Sequence, residues 1–305
     1  MTAPGVAAAP GAGDVSREHL AGVLCAAAGA VAWSLGALII RLIEVDAWTI
    51  LFWRSLSITL GAFALVLAMN RGALFAALRA SGWGAAIAGL TMAVSMMLYV
   101  NSITRTSVAN SLILLSTNPF MAAILAWGFL GERVPARTWA IMAVALAGMA
   151  AMVGDSVGGG AWLGDTLAIG CAATFAVTMV VLRRFKHVDM TPQVMMAGLW
   201  ATVLVFPLAA PLTAGARDIL LCVFMGIFSL GLGMVLFVRG LRSISAAEAG
   251  LISMLESILA PIWVWIALGE QPRPLALLGG VIVLGAVAAQ ALLGARSQKP
   301  AQVGP

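Results

Sequence analysis

Between residues 20 and 294 the chain is cut by charged or Pro/Gly-containing breaks into ten apolar runs. They fall at 20–43, 47–69, 82–103, 107–130 and 136–154, then at 161–182, 191–213, 218–238, 245–268 and 274–294. A helix needs about 20 apolar residues to cross a bilayer. In lipid only a helix or a closed barrel satisfies its own backbone groups. The runs have helix length, so the expected fold is an all-α integral membrane protein with ten transmembrane helices. Composition agrees: 62% of residues are apolar and 10% charged, against roughly 45–50% and about 25% in soluble domains. Collagen-like chains, disulfide scaffolds and cytosolic enzymes are excluded. Residues 1–19, small and broken by Pro and Gly, read as a disordered cytoplasmic tail, and the polar residues 295–305 as a second one. The first run is too long for a signal-peptide core and ends in Arg41, so it counts as a membrane helix.

The chain carries a net charge of +5, and the placement of that charge rules out nucleic acid as a partner. Lys and Arg sit at run ends, with no basic stripe or aromatic platform. With the N-terminus inside, twelve lie on the cytoplasmic side: Arg17, Arg71, Arg79, Arg133, Arg137, Arg183, Arg184, Lys186, Arg239, Arg242, Arg296 and Lys299. Four lie outside (Arg41, Arg105, Arg217 and Arg273), and Arg54 falls within the second run. That bias predicts that both termini are cytoplasmic, in a multi-pass protein of a bacterial inner membrane. Cys25, Cys171 and Cys222 each stand alone in an apolar run, so neither a disulfide nor a metal site is expected. His19 and His187 flank runs and read as solvated loop histidines.

The runs repeat. Shifted by 138 residues, TSVANSLILLSTNPFMAAILAWGFLGERVPAR (106–137) lies over ISAAEAGLISMLESILAPIWVWIALGEQPRPL (244–275), and Leu130-Gly131-Glu132 meets Leu268-Gly269-Glu270. A shift of 142 lays the first run on the sixth, matching Gly22 to Gly164, Trp33 to Phe175 and Arg41 to Arg183. Two five-helix repeats, 20–154 and 161–294, follow. Five is odd, so the second copy enters the membrane inverted. Inverted repeats are the architecture of secondary transporters, with the substrate held near the midplane between the halves.

AVAWSLGALIIR (30–41), SVANSLILLSTNPFMAAILAWGFLGERV (107–134), the Gly164-Asp165 start of the second half and the later LGE (268–270) resemble the EamA-type transporters of the drug/metabolite transporter superfamily. The resemblance spans nearly all of residues 20–294 and is most specific at the run ending in LGER. It implies ten helices in two repeats and transport of amino acids, nucleoside derivatives, vitamins or cationic drugs. The second repeat departs from the pattern, with Gln271 in place of the Arg and Glu256-Ser257 where the first has Asn118-Pro119.

Ionisable groups inside a membrane helix are costly and face the bundle interior or a wet path. Ser245, Glu248, Ile252 and Glu256 share one helical stripe, matched in the first repeat by Ser107, Asn110, Leu114 and Asn118. Asn118 and Glu256 lie near the middle of their runs and are expected at the midplane. Glu256 reads as a protonatable site or a partner for a cationic group, with a neutral hydrogen-bonded acid as the alternative. Asn110 and Glu248 extend the stripe, Glu248 near the cytoplasmic end, where a wet structural role is equally open. Trp33 and Phe175 are candidates to flank a cavity, and Tyr99, with Ser95 and Ser102, marks a polar face of the third helix. Arg54 reads as a structural charge near the outer interface, within snorkelling reach. Pro119 and Pro261 read as hinges. Trp48, Trp83, Trp139 and Trp162 fit interfacial anchors, and the small residues of the fifth and tenth runs (Gly148, Gly279, Gly280, Gly285) mark packing or dimer helices.

These residues point to a secondary active transporter of a small organic solute, working by alternating access. Export of amino acids or related metabolites is the expectation the resemblance supports, with uptake of a vitamin or nucleoside-type metabolite as the alternative. A membrane-embedded enzyme acting on a lipid carrier, and a transporter-like receptor or assembly factor, are the readings of another class. Catalysis would need a charged or Ser/His cluster near an interface, and the sequence offers none. No phosphate-binding Gly-Lys loop is present, so ATP is not expected to drive the process directly, and no cofactor is expected. The expected partners are the bilayer, a small-molecule substrate with proton coupling left open, and at most a second copy of the chain (monomer or homodimer).

Overall fold

The computed structural model describes residues 12–69, 74–103, 105, 108–153, 162–269 and 274–297. Residues 1–11 and 298–305, which hold most of the two expected tails, lie outside the described residues. Among the described residues the chain is helical, without strands. The first half contains α1 (Ala12–Arg41), α2 (Ala47–Met69), α3 (Leu74–Ile103), α4 (Val108–Leu115), α5 (Asn118–Leu130) and α6 (Ala136–Val153). The second contains α7 (Trp162–Arg184), α8 (Pro192–Val205), α9 (Ala216–Phe224), α10 (Leu232–Gly240), α11 (Ala246–Ser253), α12 (Leu255–Leu268) and α13 (Pro274–Ser297). A 3-10 turn, Pro211–Thr213, follows α8, and a π-helical turn, Met225–Gly231, joins α9 to α10.

Among the described residues seven helical stretches are long and apolar enough to cross a membrane: Arg17–Arg41, Ala47–Met69, Phe75–Ser102, Ser111–Leu130, Trp162–Arg184, Ala216–Gly240 and Ala246–Leu268. Three shorter apolar helices accompany them, Ala136–Ala151, Pro192–Val205 and Leu277–Leu293. The chain is an integral membrane protein.

Two expectations shift. Residues 12–19, assigned above to a disordered tail, are the first turns of α1. They are held because His19, expected in solvent, is 1% exposed and hydrogen-bonded across the bundle to Glu248. His187 is exposed, as expected. The hinges also move. In the first half the break is the turn Ser116-Thr117, just before Pro119, which occupies the first turn of α5, where a missing N–H costs little. In the second half the break is at Met254, where tightened bonds run from Met254 N–H to Leu251 O (3.1 Å) and from Ser257 N–H to Met254 O (3.1 Å). Pro261 lies beyond it, inside continuous α12. Both broken helices end on a left-handed glycine, Gly131 (φ 68°) and Gly269 (φ 74°), conformations that a side chain would strain.

Helices of the two halves interleave. α1 packs on α10 and α12, α7 on α3 and α5, α2 on α8 and the π-helical turn, α3 on α8, and α6 on α13. Without a hydrophobic drive between helices in lipid, such contacts rely on small residues that let backbones approach. Gly226 is the tightest case: a Cβ there would lie 2.5 Å from the carbonyl oxygen of Arg54. That contact seats α2 against the π-helical turn and fixes the position of Arg54.

A central cavity between the halves

Where the breaks of α4/α5 and α11/α12 reach the bundle centre, they leave a cavity of about 180 Å³. Ser116 and Asn118 come from the first break, and Ser253, Met254, Glu256 and Ser257 from the second. Trp33 on α1 and Phe175 on α7 form one wall, Ser95 and Tyr99 on α3 another, and Arg54 enters from α2. The remaining surface is apolar, from Met92, Met96, Leu112, Leu115, Leu230 and Met234 among others. α6 and α13 contribute nothing to it.

Aromatic rings close the cavity toward the end of the bundle that carries Arg183. Trp33 and Phe175 meet edge-on at 6.2 Å, Trp33 and Phe237 lie 4.8 Å apart, and Phe175 stacks on Phe237 at 6.1 Å. The Trp33 indole N–H donates to the Leu230 carbonyl (3.4 Å), which orients the ring in this wall. Against these rings lies a void of about 10 Å³, lined by residues including Thr178, Leu182 and Val238. At that end Arg183 donates to Glu132 (2.8 Å) and to the carbonyls of Leu241 (3.2 Å) and Arg242 (2.9 Å), tying together three elements from both halves.

The cavity holds opposite charges that do not touch. Arg54 is 8% exposed, and its Nε is buried without a hydrogen-bond partner. Asn118 is 5% exposed, with Oδ1 likewise unpartnered. Arg54, Tyr99 and Glu256 lie within electrostatic reach of one another. None of the ion pairs among the described residues involves Arg54 or Glu256.

Of the residues singled out in the sequence, the structure brings Trp33, Tyr99, Asn118, Phe175 and Glu256 to this cavity. The side chain of Asn110 lies outside the described residues. Ser102 turns away, bonding Ser111 (2.7 Å) and the Gly164 carbonyl (2.9 Å). Glu248 lies elsewhere, at the N-terminus of α11. Its Oε2 accepts the Ser245 N–H (2.9 Å) while the Ser245 hydroxyl accepts its own N–H (3.2 Å), a capping box. Its Oε1 accepts from His19 Nε2 and Gln290 Nε2, both at 3.2 Å, so one carboxylate joins α1, α11 and α13.

Arg54 corrects the sequence reading most. Its position early in its run predicts a place near the outer interface. The segment after α8 folds over that end of α2: Trp53 Nε1–H donates to the Pro211 carbonyl (3.2 Å) and the Ala210 N–H donates to Thr49 (3.1 Å). A residue early in the run is therefore already under protein. The available signal is that Arg54 lies well inside its run, whereas Arg41 and Arg137 lie at the ends of theirs.

This is a helical membrane protein whose broken helices enclose a small, partly charged cavity, the form of a membrane transporter. It belongs to the EamA-like transporter family: the family pattern matches residues 20–154 and 162–290, two copies in one chain. A probable terminal-alkyne amino-acid exporter of Streptantibioticus cattleyicolor is 29% identical over an alignment of 194 residues that covers 57% of this chain. The match spans 61% of that relative's length. A solved crystal structure superposes with a TM-score of 0.75 at 18% identity, over 89% of this chain and 97% of the other, a likeness of fold.

Proposed function

We propose that the protein is a secondary active exporter of amino acids or related small metabolites, working by alternating access. The observation that carries this reading is the cavity at the two matched helix breaks, shut at one end by Trp33, Phe175 and Phe237. A path shut at one end and built from two copies of one unit has a natural counterpart state, shut at the other. The amino-acid cargo is supported by the name of the Streptantibioticus relative.

In this reading all ten apolar runs cross the membrane, α6, α8 and α13 included, and the second five-helix repeat is inverted with respect to the first. Both termini face the cytoplasm of a bacterial inner-membrane protein, and the twelve-to-four distribution of loop cations supports that orientation. Glu256, a carboxyl group in the cavity, is the group available for proton coupling. Counterflow tests the activity: purified protein in liposomes preloaded with unlabelled amino acids must accumulate labelled amino acid. Absence of counterflow for amino acids, vitamins and nucleosides alike rejects the transporter reading. Reporter fusions test the topology, with a fusion after Gly160 reporting outside and one after His187 inside. The reverse pattern rejects the orientation.

A further inference from the structure

A cavity residue outside the repeat pattern says how cargo is read. Arg54 has no counterpart in the matched stripes of α4/α5 and α11/α12. It comes from α2, seated by the Gly226 contact, and its guanidinium is nine-tenths buried with Nε unpartnered. Buried charges are normally paired, and among the described residues Arg54 is in no ion pair. A carboxylate of opposite charge, Glu256, lines the same space without contacting it. Two opposite charges that line one small cavity without pairing match a ligand that brings both complements itself.

We infer that the cavity selects zwitterions: Arg54 holds the carboxylate of an α-amino acid and Glu256 its ammonium group. This rests on the transporter reading above and adds the residues that choose the cargo. The guanidinium fork fits a carboxylate in two parallel hydrogen bonds. The unpartnered Asn118 Oδ1 is a second acceptor for the ammonium group. Met92, Met96, Leu230 and Met234 of the same lining present flexible apolar surface suited to an aliphatic side chain. The volume of about 180 Å³ is below the roughly 300–1,000 Å³ typical of sites for drug-sized ligands. The site is therefore matched to a single amino acid.

The test is a competition panel in proteoliposomes exchanging labelled L-leucine, with L-leucine, L-leucinamide and N-acetyl-L-leucine as competitors. The amide lacks the carboxylate and the acetyl derivative lacks the ammonium group. The wild-type protein is expected to bind each derivative at least tenfold more weakly than leucine, the loss of one charge-assisted contact. Arg54→Gln is expected to abolish the preference for leucine over leucinamide while keeping discrimination against N-acetyl-leucine. Glu256→Gln is expected to do the reverse. If Arg54→Gln fails to reach the membrane, Arg54→Lys replaces it, keeping the charge without the fork and weakening leucine more than leucinamide. Equal competition by all three compounds in the wild type, or equal weakening of all three by either variant, overturns the inference. Exchange of thiamine or uridine but not leucine overturns it while leaving the transporter standing. Exchange of none of them removes both.

Discussion

Arg183→Ala should unlatch the closed end of the cavity. The guanidinium makes three hydrogen bonds there, to Glu132 at 2.8 Å and to the carbonyls of Leu241 and Arg242 at 3.2 and 2.9 Å. Its side chain is 14% exposed and that of Glu132 27%. A hydrogen bond to a charged group contributes about 1.5–3 kcal/mol. Water reaches this end of the bundle and replaces part of what is lost, so the net loss from the closed arrangement is about 2–3 kcal/mol. At 1.4 kcal/mol per factor of ten, the population open toward Arg183 should rise about 30- to 150-fold, provided the opened state lacks these bonds. The readout is a cysteine at Leu182, which is 4% exposed and lines the small void against the aromatic layer. Cys25, Cys171 and Cys222 are replaced first. A membrane-impermeant maleimide supplied from the Arg183 side should then label the Leu182→Cys protein tens of times faster when Arg183→Ala is present. Arg183→Lys should fall between. Labelling that changes less than twofold, or slows, refutes the idea that this bond network holds the cavity shut.

Three further outcomes follow from other contacts. His19→Ala should lower thermal stability in detergent by about 2 kcal/mol, less than the 3–5 typical of a broken buried pair because Ser245 and Gln290 still hold Glu248. Combined with Glu248→Gln, it should cost less than the sum of the two single changes, and strict additivity would show that the contact carries no energy. Asp46 caps α2 through the N–H groups of Trp48 (2.9 Å) and Thr49 (3.1 Å). Burial opposes its ionisation, but the Thr49 and Trp48 hydrogen bonds prevail and hold the carboxyl below its ordinary range. Its stabilisation is therefore full above that range and is lost as pH falls through the lowered value. Asp46→Ala should cost about 0.5–1 kcal/mol at neutral pH and nothing in strong acid, with unfolding curves at several pH values as the measure. Finally, cysteines at Ser116, Ser253 or Ser257 should react with small aqueous thiol reagents and be protected by substrate, whereas Val144→Cys and Leu284→Cys should stay inert. Equal reactivity in the two sets would mean that the cavity serines do not line a path distinct from the packing helices.

How far the site could be read from the sequence depended on what the repeat carried. The shift of 142 paired Trp33 with Phe175, and the shift of 138 paired Asn118 with Glu256; all four line the cavity because equivalent positions in the two copies face the same centre. Helical segments were legible because long apolar runs have little alternative in lipid, as the seven membrane-length stretches show. The burial of Arg54 was not legible because the turn at Pro211–Thr213, far along the chain, folds over the early end of its helix. His19 was misread because its partner lies 229 residues away. Glu248 and Glu256 share a stripe on paper, but the turn at Met254 between them leaves one capping α11 and the other lining the cavity. Periodicity across a break does not carry a face.

The interleaving of the halves also sets the order in which the protein can be completed during synthesis. α1, α2 and α3 find their main partners in α10, α12, α8 and α7, all in the second half. When Met69 has emerged, the Pro192–Val205 helix that α2 packs against is still more than a hundred residues from being made. At about 5–20 residues per second, Arg54 therefore waits on the order of ten seconds in the membrane before its cover arrives. Over that interval the newborn chain presents a lone guanidinium to lipid and to whatever insertion and quality-control machinery patrols the bilayer. Slowing translation between residues 70 and 190 should expose more of the chain to degradation, while slowing it after residue 240 should not. Supplying the second half as a separate polypeptide before the first is made should shorten the wait.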